Sequence, residues 1–102
     1  MEENERDKTN PNAQIPPSWS GAISGLIKEF RLSKGWTQEE LGFRSGYAPV
    51  YVNLLERGHR NPSVQALINL CQAFGVKPSV FFAEVERRVG LAGSAAGANS
   101  ST

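Results

Sequence analysis

The sequence predicts an all-α protein, a compact bundle of five helices between residues 18 and 91. Apolar residues recur at three- and four-residue intervals, which is the spacing of a helix with one buried face. Serine, threonine, proline and glycine residues that start or stop helices divide this stretch into five segments. The chain has no alternating apolar and polar run typical of a strand, and no internal repeat.

Length and composition favour one small soluble domain. A chain of 102 residues with 39% hydrophobic residues can bury a modest core. No apolar run approaches the roughly 18 residues of a membrane helix. The polar N-terminus lacks the apolar segment of a secretory signal, so we expect a cytoplasmic protein. The single Cys71 excludes an internal disulfide and a cysteine metal cluster.

Charge is unevenly distributed along the chain. Residues 1–17 hold four acidic and two basic residues, whereas residues 18–92 hold nine lysines and arginines against six glutamates. The net charge of +1 is weak for a nucleic-acid-binding protein, but the helical part by itself carries +3. This distribution is compatible with an electrostatic contribution to nucleic-acid binding and does not settle the partner.

The first helix should follow a polar, proline-containing arm. Residues 1–17 contain little to bury and are predicted to be disordered. Ser18 or Ser20 can cap the helix, and Gly35 ends it. Trp36 is expected to pack back over the core. The predicted buried stripe of this helix consists of Ile23, Leu26, Ile27 and Phe30.

The second and third helices form a helix-turn-helix candidate over residues 37–57. Thr37 and Glu40 have the spacing of a capping box, so a helix should begin there. Gly46 stops that helix because glycine tolerates the left-handed conformation of a helix end. Pro49, which is favoured in a first helical turn, opens the next helix. Two short helices joined by a tight turn suit a unit whose second helix enters the DNA major groove.

The fourth and fifth helices complete the predicted bundle. Ser63 caps the fourth helix, Gly75 ends it, and Pro78 starts the fifth. The low-complexity tail of residues 92–102 is predicted to be disordered. Val64, Leu67, Ile68, Cys71 and Phe74 form the apolar stripe of the fourth helix, and Val80, Phe81, Phe82, Val85 and Val89 occupy more than one face of the fifth.

Several motifs together resemble the phage-repressor family of transcription regulators, also called Cro-like or xenobiotic-response-element (XRE) regulators. The matching segments are IKEFR, TQEEL, YVNLLERG and RNPS, which lie between about residues 20 and 83. Gly42 matches the position where the two helices cross, Gly46 the turn, and Val52 and Leu55 the core of the unit. The resemblance implies a lambda-repressor-like DNA-binding domain. We expect a sequence-specific transcription regulator, a repressor or an autoregulating controller, that binds a palindromic operator as a homodimer.

The resemblance also implies a structural ion pair between Arg31 of the first helix and Glu56 of the third. Each charge would be costly if it were buried without a partner. We therefore interpret both residues as part of the fold and not as a catalytic site.

The predicted DNA-binding residues lie at the start of helix two, on helix three and in the loop after it. The Gln38 amide and the free N–H groups of the helix start can hold a phosphate oxygen. Val50 and Leu54 could contact thymine methyl groups, and Asn53 could bond to adenine. Gln38 and the loop residues Arg57, His59, Arg60 and Asn61 could instead be simply solvated. The full set is Thr37, Gln38, Pro49, Val50, Tyr51, Asn53, Leu54, Arg57, His59, Arg60 and Asn61.

Helix three departs from the family pattern at two of these positions. Family members often carry polar or basic side chains where this chain has Pro49 and Leu54, and here both are apolar. The apolar face favours a second hypothesis, in which the domain is a protein-interaction module such as a coactivator, adaptor or antitoxin. We favour double-stranded DNA as the partner, with RNA polymerase as a further candidate.

Nothing in the sequence supports an enzyme, a metal site or a cofactor. One histidine and one cysteine cannot supply a catalytic triad or a metal site, and no glycine-rich phosphate loop follows a strand. His59 is interpreted as a solvated or phosphate-contacting residue and Cys71 as a core residue.

A regulator of this size needs a second subunit to read enough base pairs. The fifth helix offers a dimer surface because its apolar residues exceed one buried stripe. The predicted interface consists of Phe81, Phe82, Val85 and Val89. The alternative is that all four residues cover the first helix within one subunit.

Overall fold

The computed structural model describes residues 15–97 of the chain, so residues 1–14 of the predicted arm and 98–102 of the predicted tail lie outside the described part. Five helices and no strand occupy the described residues, which confirms the predicted all-α, five-helix fold. In chain order the helices are α1 (Pro17–Ser33), α2 (Gln38–Ser45), α3 (Pro49–Glu56), α4 (Val64–Phe74) and α5 (Pro78–Gly97).

Two helix ends differ from the predicted bounds. Helix α1 begins at Pro17 without a side-chain cap, so the predicted caps Ser18 and Ser20 are wrong. Proline at the first helical position has a backbone angle already suited to the helix and lacks the N–H that would need a cap. Helix α5 runs to Gly97, which corrects the predicted start of the tail at residue 92. The extra segment, Ala-Gly-Ser-Ala-Ala-Gly, contains three alanines, which favour a helix, and two glycines, which do not.

Side chains cap two of the helices as the sequence predicts. The Thr37 hydroxyl accepts a 3.0 Å hydrogen bond from the backbone N–H of Glu40, and Ser63 caps α4 in the same way. The Glu40 side chain pairs with Arg44 at 2.6 Å. The Thr37 side chain of the predicted capping box therefore makes the capping hydrogen bond, whereas the Glu40 side chain forms an exposed ion pair along α2.

The core lies where all five helices meet. The Phe74 ring stacks with Phe30 at 5.2 Å and with Trp36 at 6.2 Å, which confirms that Trp36 packs back over the core. The buried apolar cluster consists of Ile23, Leu26, Ile27, Leu41, Val52, Leu55, Leu67, Leu70, Cys71, Phe74, Phe81 and Val85.

The buried face of α4 is rotated from the predicted stripe. Val64 and Ile68 are 76% and 42% exposed, whereas Ala66 and Leu70 are buried. Helix α4 packs against both α2 and α5, so its buried face is centred between these two neighbours. Helical spacing within α4 does not show where its two neighbouring helices lie, so it cannot predict which face of α4 they bury.

Two of the four residues predicted to form the dimer surface on α5 are buried within the subunit, which corrects the prediction for those two. Phe81 and Val85 are fully buried inside the subunit, where they pack in the core with residues of α1. Phe82 is 37% exposed, and Val89 is partly buried against the core. The alternative of intramolecular packing is therefore correct for Phe81 and Val85, because α1 and α5 form one of the more extensive helix pairs in the bundle.

Ion pairs flank this packing of α5 on α1. Arg88 donates to both carboxylate oxygens of Glu29, at 2.7 and 2.8 Å, and to Glu84 at 2.8 Å. Hydrogen bonds from Arg87 and Arg88 lower the pKa of Glu84 to about 2. The hydrogen bond from Arg88 likewise lowers the pKa of Glu29. The pair between Arg88 and Glu29 joins α5 to α1, whereas Glu84 pairs with arginines of its own helix.

Neither a single membrane-spanning helix nor a metal-binding cluster is present among residues 15–97. No single helix among them is long and apolar enough to span a membrane, and the pair Val64–Phe74 and Pro78–Leu91, which passes by length and composition, is bent by 103°. Within the same residues, no group of three or more histidine, cysteine, aspartate or glutamate side chains could hold a metal ion.

Candidate DNA-binding interface

The angle between α2 and α3 depends on the close approach of Gly42 to the turn. A Cβ atom at Gly42 would lie 2.4 Å from the backbone oxygen of Tyr47, a distance that real Cβ atoms do not adopt. The Gly42 carbonyl accepts hydrogen bonds from the N–H groups of Gly46 and Tyr47, both at 2.8 Å. Gly46 has a φ of +88°, in the left-handed region that glycine adopts readily. These contacts place α3 at a defined angle to α2.

The predicted ion pair joins α1 to the end of α3. Arg31 donates from Nε to Glu56 Oε2 at 2.6 Å and from Nη2 to Glu56 Oε1 at 3.0 Å. Its third nitrogen, Nη1, donates to the backbone oxygen of Trp36 at 2.8 Å. The side chains of Arg31 and Glu56 are 10% and 2% exposed. This two-point contact between guanidinium and carboxylate holds the C-terminal end of α3 against α1.

Gln38 and Asn53 bond to each other, which the sequence did not reveal. Gln38 Nε2 donates to Glu56 Oε1 at 3.1 Å, and Asn53 Nδ2 donates to Gln38 Oε1 at 3.3 Å. Arg57 Nη1 then donates to Asn53 Oδ1 at 3.4 Å. The two amides were predicted as separate contacts to phosphate and base, but the structure brings them into one network with the ion pair. Their separation by fifteen residues follows no helical spacing that could have indicated it.

The exposed part of α3 is apolar at its start. Pro49 is exposed and Val50 is 65% exposed. Leu54, one helical turn after Val50, is half-buried. These three side chains offer apolar surface and no side-chain hydrogen-bond donor or acceptor. The apolar character read from the sequence is therefore present at the surface.

Tyr51 lies at the edge of this surface and packs against neighbouring residues. It is half-buried, and its ring lies 5.0 Å from the ring of Tyr47. The Arg60 guanidinium lies over the Tyr51 ring at 5.7 Å. Asn69 of α4 donates a 3.0 Å hydrogen bond to the Tyr47 hydroxyl. Tyr47 is therefore a residue of this region that sequence reasoning missed, because its partners come from three different segments.

The loop after α3 exposes a run of polar and basic side chains. Arg57, His59, Arg60 and Asn61 are all exposed. The N–H groups of His59 and Arg60 both donate to the backbone oxygen of Leu54, at 2.9 and 3.3 Å. These two bonds fold the loop back on the end of α3. The basic side chains consequently lie beside the recognition helix candidate, and not on a separate surface.

The arrangement is that of the helix-turn-helix class of DNA-binding domain. A short helix is joined by a tight turn to a second, exposed helix, and a basic loop lies beside the second helix. Comparison with known protein families agrees with this assignment. The model of the helix-turn-helix family HTH_3, which is of the XRE type, matches residues 27–81. The chain belongs to this helix-turn-helix family.

Relatives with similar sequences are described as regulators. The chain is 54% identical over 54 residues to an uncharacterized HTH-type transcriptional regulator, y4dJ, of Sinorhizobium fredii; the match covers 53% of this chain and 70% of y4dJ. It is 36% identical over 65 residues to the HTH-type regulator YgzD of Bacillus subtilis, covering 63% of this chain and 98% of YgzD. The family consists of transcriptional regulators, which are not enzymes.

Solved structures with the same fold include controller proteins. The wild-type restriction-modification controller protein C.Esp1396I matches with a TM-score of 0.65 and 31% identity over 70% of this chain and 91% of its own. The clp gene regulator ClgR of Corynebacterium glutamicum matches with a TM-score of 0.69 and 28% identity over 76% of this chain and 82% of its own. This chain is thus a DNA-binding regulator by family and by fold.

Proposed function

We propose that the protein is a homodimeric transcription regulator that binds a palindromic operator and acts there as a repressor or an autoregulating controller. The observation that carries the proposal is the exposed α3 surface, held at a defined angle by Gly42 and flanked by the basic loop. Each subunit lays α3 in a major groove. Occupied DNA then excludes RNA polymerase or helps to recruit it. The proposal includes a cytoplasmic location.

Contacts to the DNA backbone would set the position of α3. Thr37 and Gln38 lie at the start of α2, whose free N–H groups favour a phosphate. Arg57, Arg60 and Asn61 suit phosphates on the other side of the groove, and His59 lies among them. The stacking of Arg60 on Tyr51 supports this role, because a guanidinium held by a ring loses less freedom when it binds.

Contacts to bases would come from the exposed side of α3. Pro49, Val50 and Leu54 can read thymine through its methyl group, and Asn53 can bond to the edge of adenine. Tyr51 would add a contact at the border between base and phosphate. A face with one amide and several apolar groups favours sites rich in adenine and thymine.

The second subunit would join through the part of α5 that remains at the surface. Phe82 and Val89 stay in the proposed interface, whereas Phe81 and Val85 leave it because the core of the subunit already covers them. Solved relatives of this fold are named as controller proteins, and two-fold assembly is common among soluble oligomers. A dimer would place two α3 helices roughly 34 Å apart, one turn of DNA.

Salt dependence tests DNA binding directly. Affinity for double-stranded DNA should fall with salt with a log–log slope near −0.9 for each neutralised phosphate. Arg60→Ala should weaken binding to specific and random DNA alike and make the slope shallower by about one unit. Arg87→Ala is the matched control, since it removes an exposed arginine from α5, outside the proposed DNA-binding surface. Binding that is insensitive to salt would contradict the proposal.

The exposed apolar residues of α3 support a second candidate function, an interaction module that binds another protein. Val50 is 65% exposed, and Phe43 on the neighbouring α2 is 84% exposed. Such a module would show no salt-dependent binding to mixed genomic DNA fragments and would lose its partner on Val50→Glu. The same DNA titration therefore separates the two functions.

Dimer formation has its own test. Phe82→Glu should give a folded monomer with much weaker operator binding, because a carboxylate would be placed in an apolar contact. Ala83→Glu is the control, as it adds the same charge at the next exposed position of α5. Sedimentation velocity at micromolar concentration measures the outcome. A wild-type monomer bound to one half-site would refute the dimer.

A further inference from the structure

Four side chains form a hydrogen-bonded chain that leads from the buried ion pair to the α3 surface. It runs from Glu56 through Gln38 and Asn53 to Arg57, with donor–acceptor distances of 3.1, 3.3 and 3.4 Å. The chain begins inside the domain, where the Glu56 side chain is 2% exposed. It ends at Arg57, which is exposed.

The chemistry of the two ends determines the direction of every bond between them. An ionised carboxylate can only accept, so Gln38 must turn its Nε2 toward Glu56 and its Oε1 away. That oxygen can only accept, so Asn53 must turn its Nδ2 toward Gln38. The guanidinium of Arg57 can only donate, and it meets the remaining Oδ1 of Asn53. Both amides therefore have one orientation that satisfies all of their partners.

The same orientation leaves Asn53 with the groups that adenine requires. Its Nδ2 has a second N–H after the bond to Gln38, and its Oδ1 has a second lone pair after the bond from Arg57. An asparagine reads adenine by donating to N7 and accepting from the N6 amino group. An amide turned by 180° would place the Oδ1 of Asn53 against the Oε1 of Gln38, and two acceptors repel each other.

We infer that Gln38 is a positioning residue for base recognition: through Glu56 it fixes which way the Asn53 amide faces before DNA is bound. This inference rests on the proposed DNA-binding function and deepens it. Gln38 acts through Asn53 and thereby affects the base preference, in addition to any phosphate that it contacts itself. The orientation is prepared in the free protein, so that less rotational freedom is lost when α3 enters the groove.

Selection from a random-sequence double-stranded DNA pool, followed by sequencing of the bound fragments, tests the inference. Asn53→Ala first identifies the base pair whose preference depends on Asn53. Gln38→Met, which keeps the length of the side chain and removes its amide, should then reduce the preference at that same base pair. A bidentate contact provides discrimination on the order of tenfold or more, and we expect most of it to disappear. Gln65→Met on the exposed side of α4 is the matched control.

A phosphate contact alone predicts a different result, because phosphates carry no sequence information and their loss weakens all sites equally. The double variant, Gln38→Met with Asn53→Ala, should lose no further preference at the identified base pair beyond Asn53→Ala alone. Nuclear magnetic resonance of the free protein should show a rigid Asn53 side-chain amide in the wild type and a mobile one in Gln38→Met. Thermal unfolding of each variant verifies that it is folded.

Two failures are distinguishable. If the wild-type chain enriches no sequence from the pool, the proposed function fails and the inference fails with it. If the wild type selects a sequence but Gln38→Met keeps the full preference at the Asn53-dependent base pair, or lowers all positions equally, the inference alone is overturned. An Asn53→Ala variant with unchanged preferences would overturn it as well.

Discussion

Replacing Glu56 by alanine tests the energetic role of the buried ion pair. The Glu56 carboxylate accepts two hydrogen bonds from Arg31 and one from Gln38, and its side chain is 2% exposed. Glu56→Ala removes all three bonds. Arg31 keeps its bond to the backbone oxygen of Trp36 but loses its counter-charge in a site where its side chain is 10% exposed.

The expected loss follows from these contacts. Leaving a buried charge without its partner costs about 3–5 kcal/mol. The Gln38 amide loses a partner as well, but it is half-buried, and water can replace part of that bond. For a domain of this size, a loss of 3–5 kcal/mol lowers the unfolding temperature by at least roughly 12 °C.

Urea unfolding followed by circular dichroism measures the free energy of unfolding and its denaturant slope. Glu40→Ala is the control, because it breaks an ion pair with Arg44 whose side chains are 48% and 39% exposed, and such pairs contribute about 0.2–1 kcal/mol. The combined change Arg31→Met with Glu56→Leu should recover much of the loss, since no charge is then buried. If Glu56→Ala costs no more than Glu40→Ala, the reasoning about burial is refuted.

Two further predictions concern the turn and the acid limit of stability. Gly42→Ala should lower the free energy of unfolding by about 1–3 kcal/mol, because the added Cβ would meet the Tyr47 backbone oxygen. The control, Gly21→Ala, places its Cβ in open space on α1 and should raise the free energy of unfolding by about 0.5–1 kcal/mol. Equal effects of the two changes in urea unfolding would contradict the close approach of Gly42 to Tyr47. Hydrogen bonds from Arg87, which has the largest effect, and from Arg88 lower the pKa of Glu84 from 4.5 to about 2. The ionised Glu84 carboxylate therefore contributes fully to stability above pH 4.5, and this contribution is lost as the pH falls toward 2. The stability of Glu84→Gln should therefore fall less than that of the wild type over this range, and parallel curves would exclude a role for this carboxylate.

Local signals in the sequence determined the number and type of the helices. Thr37 and Ser63 cap α2 and α4 as predicted, because a cap depends on a side chain and a backbone group three residues apart. Gly46 and Gly75 end these helices in the left-handed conformation for an equally local reason. The Arg31–Glu56 pair was accessible through the resemblance to a family, since no spacing along the chain connects two residues twenty-five positions apart.

Tertiary packing alone decided which apolar and polar side chains remain available at the surface. Phe81 and Phe82 are adjacent and chemically identical, yet one is fully buried and the other 37% exposed, because α1 covers only one side of α5. The bond between Gln38 and Asn53 likewise exists only once α2 crosses α3 at Gly42 and Arg31 holds Glu56 beside them. Helical periodicity describes one helix at a time, whereas burial and hydrogen bonding depend on the neighbouring helix and its angle.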